Sequence, residues 1–272
     1  MGTAAVTMVK DEADIIASTV EHMLTQVDRV LVADNGSTDG TAEILDSLAR
    51  MNTRLEVVHD PDPAYRQSAK MTALAADAHD RYRSTWIVPF DADEWWYSPF
   101  HPRLGDVLDE QAPQWLVLPA TLYDHVATGI DPDTADPCAR IRWRRPDPAP
   151  LPKVACRWRA DLVIEQGNHG AWYDGGPTIR PDRLLVIRHF PYRSLEQFVS
   201  KVRNGSAAYR ALGPDVPANV GTHWRQWGDM LDAHGEPALG DLFRKWYWRA
   251  DPRRPITIEG ERQPALIHDP IR

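Results

Sequence analysis

The first ninety residues of this chain alternate between two hydrophobic periods, and that alternation admits few folds. Residues 4–9 (Ala4-Ala5-Val6-Thr7-Met8-Val9) are an apolar run of strand length. Ile15, Ile16, Thr19, Val20, Met23 and Leu24 then recur at helical spacing, which predicts a helix over 12–24. The cycle repeats. A strand is expected over 29–33, and a helix marked by Ala42, Ile44, Leu45 and Leu48 follows it. A strand over 55–58 leads to a helix over 66–78 with Met71, Leu74, Ala75 and Ala78 on one face, then a strand over 86–90. Strands alternating with helices imply a parallel sheet, because parallel neighbours need a crossover long enough to hold a helix. Pro89 falls inside an expected central strand and removes a ladder donor, so a local irregularity is expected there.

In such a sheet ligands bind beyond the carboxyl ends of the strands. Three polar segments follow strands here: Lys10-Asp11-Glu12, Asp34-Asn35-Gly36-Ser37-Thr38-Asp39 and Asp91-Ala92-Asp93-Glu94. They are expected to converge on one edge. Asp91 and Asp93 point the same way if the strand runs on, since side chains alternate with period two. Two carboxylates on one side of a strand end suit a hard cation, Mg²⁺ or Mn²⁺. The bland alternative is a solvated acidic turn. Asp39 has its own bland role, capping the helix that follows it.

Beyond residue 100 the pattern weakens. Residues 115–119 read as a strand, and 131–152, rich in Pro, Asp and Arg, as a long loop. Short strands are expected over 153–159, 161–165 and 184–189. A helix over 194–210 has Ser194 as its cap and Glu196 and Gln197 in its first turn, and Gly213-Pro214 stops it. A further helical stretch runs from 222 to the mid-240s, with a break at Gly235-Glu236-Pro237. The expected organisation is a nucleotide-binding half over 1–100, an acceptor half over 101–210 and a helical extension over 211–272.

Composition narrows the function. The 272 residues carry 31 Lys and Arg against 39 Asp and Glu, a formal charge of -8. That balance argues against a nucleic-acid binder and a polybasic membrane anchor. Cys138 and Cys156 are too few for a disulfide framework and lack metal-finger spacing. The start lacks a basic region followed by an apolar core, and no apolar run reaches transmembrane length, so a cytoplasmic protein without a signal peptide or membrane anchor is expected.

Three motifs carry a family resemblance: Met8-Val9-Lys10-Asp11-Glu12, then Val32-Ala33-Asp34-Asn35-Gly36-Ser37-Thr38-Asp39-Gly40-Thr41, then Phe90-Asp91-Ala92-Asp93-Glu94-Trp95. In order and spacing they resemble the inverting nucleotide-sugar glycosyltransferases of family 2, which have the GT-A fold. The Lys153-Val154-Ala155-Cys156-Arg157 strand, His169, and the segment from His189 to Phe198 are similar to a subgroup of that family. The resemblance implies an α/β, Rossmann-like and mostly parallel sheet flanked by helices, a smaller antiparallel acceptor side, and a helical C-terminal region. It implies a nucleoside-diphosphate sugar as donor, UDP-sugar by family frequency, a carbohydrate or small-molecule hydroxyl as acceptor, and Mn²⁺ or Mg²⁺ as cofactor.

The same resemblance assigns roles. Asp34 accepts a hydrogen bond from the nucleobase, and Val9, Lys10 and Glu12 line that pocket. Asp93 binds the metal directly, and Asp91 holds the ribose or the metal's water shell. His189 is a further metal ligand, which favours Mn²⁺. Arg66 and Lys70, four apart on one helix face, hold the nucleotide or its phosphates. Trp95, Trp96 and Lys153 belong to the sugar and acceptor side, with one of the two tryptophans in the core. An inverting transfer needs one general base; Glu165 is the first candidate, His169 the second and Asp161 the third. Two alternatives stay open. A nucleotidyltransferase would place a Gly-rich basic loop near the first strand, where this chain has acidic residues, and a catalytically inactive nucleotide-sugar-binding protein would share the same fold.

Overall fold

A computed structural model describes residues 2–62, 66–212 and 221–271. The expected helix stop at Gly213-Pro214 lies outside the described residues. The chain forms two compact units that interleave along the sequence: 1–61, 66–123 and 148–189 build the first, while 124–147 and 190–272 build most of the second.

The first unit opens with β1 (Gly2–Val9), α1 (Ile16–Gln26), β2 (Arg29–Asp34), α2 (Thr41–Met51), β3 (Leu55–His59), α3 (Gln67–Tyr82) and β4 (Ser84–Pro89). It continues through β5 (Glu94–Tyr97), α4 (Leu104–Asp109) and β6 (Val117–Asp124), and later adds β9 (Lys153–Arg157), β10 (Val163–Ile164), β11 (Ala171–Trp172) and β12 (Leu185–His189). Eight strands form one sheet in the order β3-β2-β1-β4-β9-β6-β12-β5. The β3-β2-β1-β4 half is parallel, and β9 pairs antiparallel with both β4 and β6. The α/β class and the division into a parallel and an antiparallel half are as expected.

Period-two burial explains the layering. Ala5 and Val9 of β1, with Val30 and Val32 of β2, pack with Ile16, Val20 and Met23 of α1 and Leu45 of α2. The alternate residues Ala4, Val6, Leu31 and Ala33 pack with Met71, Leu74, Ala75 and Ala78 of α3. Both faces are covered, so these strands read as continuous apolar runs. Among the described residues, no helix is long and apolar enough to cross a membrane.

Two local expectations fail for tertiary reasons. Helix α1 starts at Ile16, not at 12, because the preceding segment is bonded elsewhere. The backbone N–H groups of Asp11, Glu12 and Ala13 donate to Ser37 Oγ, Thr41 Oγ1 and Asp39 Oδ2, at 2.9, 2.8 and 3.0 Å. Pro89 causes no irregularity, and the register shift between β1 and β4 lies at the other end, at Gly2 and Thr3. The next residue, Phe90, donates to Val6 of β1 at 3.0 Å, so the donor that Pro89 lacks would face β9. The β4–β9 pairing has already ended at Ile87.

The second unit contains β7 (Ala127–Thr128), α5 (Pro137–Arg140), β8 (Trp143–Arg144), α6 (Leu195–Ala211), α7 (Thr222–His234), α8 (Glu236–Trp246), β13 (Trp248–Arg249), β14 (Ile256–Ile258), β15 (Glu261–Gln263) and β16 (Ile267–His268). The expected long loop over 131–152 thus holds a helical turn and a strand, with Asp136 accepting from the Cys138 N–H at 3.0 Å. Ser194 caps α6 through the Gln197 N–H at 3.1 Å, as expected. Gly235, at φ 72°, breaks α7 from α8. Phe198, Val202, Leu239 and Phe243 form its core, with Trp224, Trp227, Tyr247 and Trp248 packed around them. Most of the C-terminal tryptophans are therefore structural.

Candidate active site at the carboxyl ends of the parallel strands

The acidic motif does not continue β4. The strand ends at Pro89, and the Glu94 N–H donates to the Asp91 carbonyl at 3.0 Å, closing a turn before β5. Period-two alternation therefore does not apply, and the two aspartates do different things. Asp91 faces Lys153 on β9, whose Nζ lies 2.5 Å from Asp91 Oδ2 and 2.9 Å from Glu94 Oε1. The other Glu94 oxygen accepts from the Asp91 N–H at 3.1 Å and from Trp96 Nε1 at 3.0 Å. Asp91 Oδ1 accepts from Gln67 Nε2 at 3.2 Å and Asn168 Nδ2 at 3.0 Å. Three donors take up most of this carboxylate's acceptor positions, so a cation bound directly by Asp91 would compete with them.

Glu94 is fully buried, and that burial raises its pKa; the Asp91 charge adds to the rise and Lys153 opposes it. Burial alone would lower the Lys153 pKa, but Asp91 and Glu94 outweigh it and hold the ammonium above the ordinary lysine range. Lys153 is thus a buried cation that fixes the turn, and the expectation that it touches acceptor is corrected. Trp96 is 0% exposed and belongs to the core, so it does not wall a sugar pocket. Trp95 is half-buried and stacks on His22 with ring centroids 4.1 Å apart.

Asp93 is buried, and its Oδ1 lies 3.6 Å from His189 Nε2. The β5–β12 pairing, which sets His189 opposite Glu94, makes this approach possible. Among the described residues, no group of three or more His, Cys, Asp or Glu side chains forms a self-sufficient metal site. Two ligands about 2.1 Å from one cation stand roughly 3–4 Å apart, so the Asp93–His189 pair fits as a partial set. Magnesium-type sites are commonly completed by phosphate oxygens and water.

The loops after β1 and β2 are locked together. Lys10 Nζ bonds the Asn35 and Gly36 carbonyls at 3.1 and 2.6 Å. Lys70 Nζ bonds Asn35 Oδ1 at 2.5 Å and pairs with Asp60 at 2.6 Å. Asp34 is buried, accepts from the Ser37 N–H at 3.3 Å and lies 3.5 Å from His59 Nδ1. Glu12 is 8% exposed, and Val9 is sealed with its carbonyl taken by the Asn35 N–H at 2.8 Å. Arg66 stays exposed at the start of α3. Asp39 serves the first N–H of α2, at Thr41, at 3.0 Å, from one position earlier than a regular cap.

The segment from Glu165 to Gly170 is held against this cluster by Asn168 and by the Gly167 N–H, which donates to Gln67 Oε1 at 2.6 Å. His169 Nδ1 lies 2.9 Å from the Pro152 carbonyl, so Nδ1 carries the proton and Nε2 is left as an acceptor. Burial lowers the His169 pKa; the Pro152 carbonyl opposes the shift, and Lys153 adds to it. A Cβ on Gly167 would stand 2.8 Å from His169 Nε2, and one on Gly170 would run into the Glu165 carboxylate. Each glycine makes room for one base candidate. Asp161 is held elsewhere: Arg159 bonds both its oxygens, at 2.9 and 2.7 Å, and the Asp174 N–H adds a bond at 2.8 Å. These bonds outweigh its desolvation and lower its pKa, which weakens it as a base.

Gly167→Ala should cost about 1–3 kcal/mol, because φ is 77° there and the new methyl meets the His169 ring. Thermal unfolding checks this. A variant as stable as the parent would mean that the loop is not held as described. Gln67, Asn168 and Glu94 had no assigned role in the sequence reading. Asn168 lies between the base candidates Glu165 and His169, while nothing marks Gln67 in a helix start.

The model of the glycosyl transferase family 2 matches residues 5–128. No curated protein matches the chain. The mannosyltransferase PcManGT from Pyrobaculum calidifontis, solved with GDP-Man and Mn²⁺, aligns at 15% identity over 89% of this chain and 73% of that one, with a TM-score of 0.47. GalNAc-T7 with UDP, GalNAc and Mn²⁺ aligns at 11% identity over 91% of this chain and 58% of that one, with a TM-score of 0.44. S. aureus TarS aligns at 11% identity over 86% and 73%, with a TM-score of 0.38. The segment that matches the glycosyl transferase family 2 model runs from within β1 past the end of β6 and holds all three motifs at their strand ends.

Proposed function

We propose that this protein transfers a sugar from a nucleoside-diphosphate sugar to a hydroxyl acceptor, with inversion at the anomeric carbon and a divalent cation at Asp93 and His189. The observation that carries the reading is the Asp93–His189 pair, 3.6 Å apart, just past the end of β4. Strand β4 neighbours β1, which neighbours β2, so Asp34, Lys10 and Glu12 end on the same edge. In this reading Asp34 meets the nucleobase, with a UDP-sugar as the preferred donor, and the cation, when bound, neutralises charge on the departing diphosphate. Asp91 does not bind the cation. It ties α3, β9 and the 165–170 segment into one rigid wall, and its Lys153 partner reduces the negative charge facing a diphosphate. Arg66, exposed at the start of α3, would reach phosphate oxygens, and Trp95 borders the sugar.

The base we favour is His169 rather than Glu165, because the Pro152 carbonyl fixes its tautomer and leaves Nε2 without a hydrogen-bond partner among the described residues. Its lowered pKa sets the sign of the pH dependence. The imidazole stays neutral, and so competent, to below pH 6.5, and activity falls only under that. The acid limb of kcat/KM should lie below pH 6.5 and vanish with the activity in His169→Gln. If Glu165→Gln abolishes turnover while His169→Gln retains it, Glu165 is the base.

Nucleoside diphosphates with Mn²⁺ should raise the melting temperature. Ligand at a hundred times its Kd adds about 2.7 kcal/mol, roughly 5–10 °C for a chain of this size. Stabilisation by no nucleotide would sink the reading, and stabilisation without turnover of any nucleotide-sugar would favour a binding protein instead.

A further inference from the structure

Among the described residues, the second unit contains a buried cation with no anion to meet it. Arg249, on β13, is 3% exposed, and its Nε and Nη1 are sealed from solvent without an acceptor. Other enclosed arginines of the molecule are given oxygens. Arg157 bonds the carbonyls of Trp115 and Gln111 at 3.1 and 3.0 Å, and Arg193 bonds that of Phe190 at 3.1 Å. Among the described residues, the charged group that bears on Arg249 is another cation, Arg145, and together with burial it lowers the Arg249 pKa. Arg145 is itself anchored, its Nη2 donating to the Trp246 carbonyl at 2.9 Å.

The placement is fixed by the fold. Strand β13 pairs with β7, with Trp248 opposite Ala127 and Arg249 opposite Thr128. Trp248 lines a cavity of about 390 Å³, and Arg249, one residue on, is directed to the other side of the ladder. A guanidinium cannot shed its charge at any accessible pH, so it cannot relieve the cost of burial by deprotonating. An uncompensated buried charge is strongly destabilising, whereas a bound oxyanion would satisfy both donors and neutralise both arginines.

We propose that Arg249 and Arg145 form a binding site for a compact oxyanion, the phosphate or carboxylate group of a small acidic ligand. The site lies within the second unit and stands independently of the donor-site reading. The probes are inorganic phosphate and acetate, each compared with chloride at matched ionic strength, with thermal unfolding of the full chain as the readout. At least one of the two should raise the melting temperature of the parent. Arg249→Met should erase that shift and melt at least about 2 °C above the parent in chloride, because it removes an unpaired buried charge. Arg145→Gln should weaken the shift, and it serves if Arg249→Met does not fold. Asp93→Asn should leave the shift intact, which separates this site from phosphate bound where the donor diphosphate would lie. The response to phosphate against acetate tells which ligand chemistry the pair prefers. The proposal is overturned if neither anion stabilises the parent, if the shift survives both arginine substitutions, or if it disappears in Asp93→Asn alone.

Discussion

Asp93→Ala should abolish sugar transfer and metal-dependent nucleotide binding while the fold survives. Asp93 and His189 are the two side chains placed to share a cation, and no third titratable ligand completes the set among the described residues. Losing one of two protein ligands leaves a site too weak to hold Mn²⁺ against water. A cation contributes several kcal/mol to charge stabilisation on a leaving group, so the loss should reach about 10³-fold or more in kcat/KM. The far-UV spectrum should be unchanged, because the layered core of β1 to β4 does not involve this side chain. Full activity in the variant would refute the metal assignment. His189→Ala should follow in the same direction, whereas Asp91→Asn should act mainly on stability and loop order, since Asp91 spends its oxygens on Lys153, Gln67 and Asn168.

Lys153→Met should be the most destabilising single change at the site. It strips the counter-ion from Glu94, which is fully buried, and from Asp91. Removing one partner of a buried pair costs about 3–5 kcal/mol, or roughly 10 °C in melting temperature at this size. The pH dependence has a definite sign. The raised pKa of Lys153 means its contribution is complete below 10.5 and is lost only as pH climbs through the still higher folded value. In the variant, Glu94 escapes burial of its charge by taking up a proton. Its folded pKa lies above the ordinary 4.5, so the penalty grows as pH rises from there, and the deficit should be smaller at pH 5 than at pH 8. Adding Glu94→Gln should recover part of the loss. A Lys153→Met variant with the parent's melting temperature at pH 8 would show that the triad is not closed as described.

What could be read from the sequence follows the range of the forces involved. The parallel half was legible because each of its elements has a local signature, and the two faces of β1 and β2 bury alternate residues as the periodicity requires. Helix α1 was misjudged at its start because three backbone donors there are claimed by Ser37, Asp39 and Thr41, about 26 positions away or more. The same holds at the site. That Asp91 and Asp93 lie near one strand end was legible, but their division of labour was not. It depends on a turn closed by the Glu94 N–H and on Lys153, which stands 62 positions along the chain from Asp91. Trp95 and Trp96 are adjacent and chemically alike, and only packing tells that Trp96 is core.

Periodicity and motif spacing are local properties of a chain, so the alternating α/β half, the edge where its loops converge and the match of residues 5–128 to a family model were all legible in the sequence. Tertiary structure alone decided which carboxylate meets His189, which meets Lys153, and that Arg249 meets no anion among the described residues. Those outcomes depend on burial and on long-range pairing, where the cost of leaving a charge unpaired depends on neighbours that only the folded chain brings together.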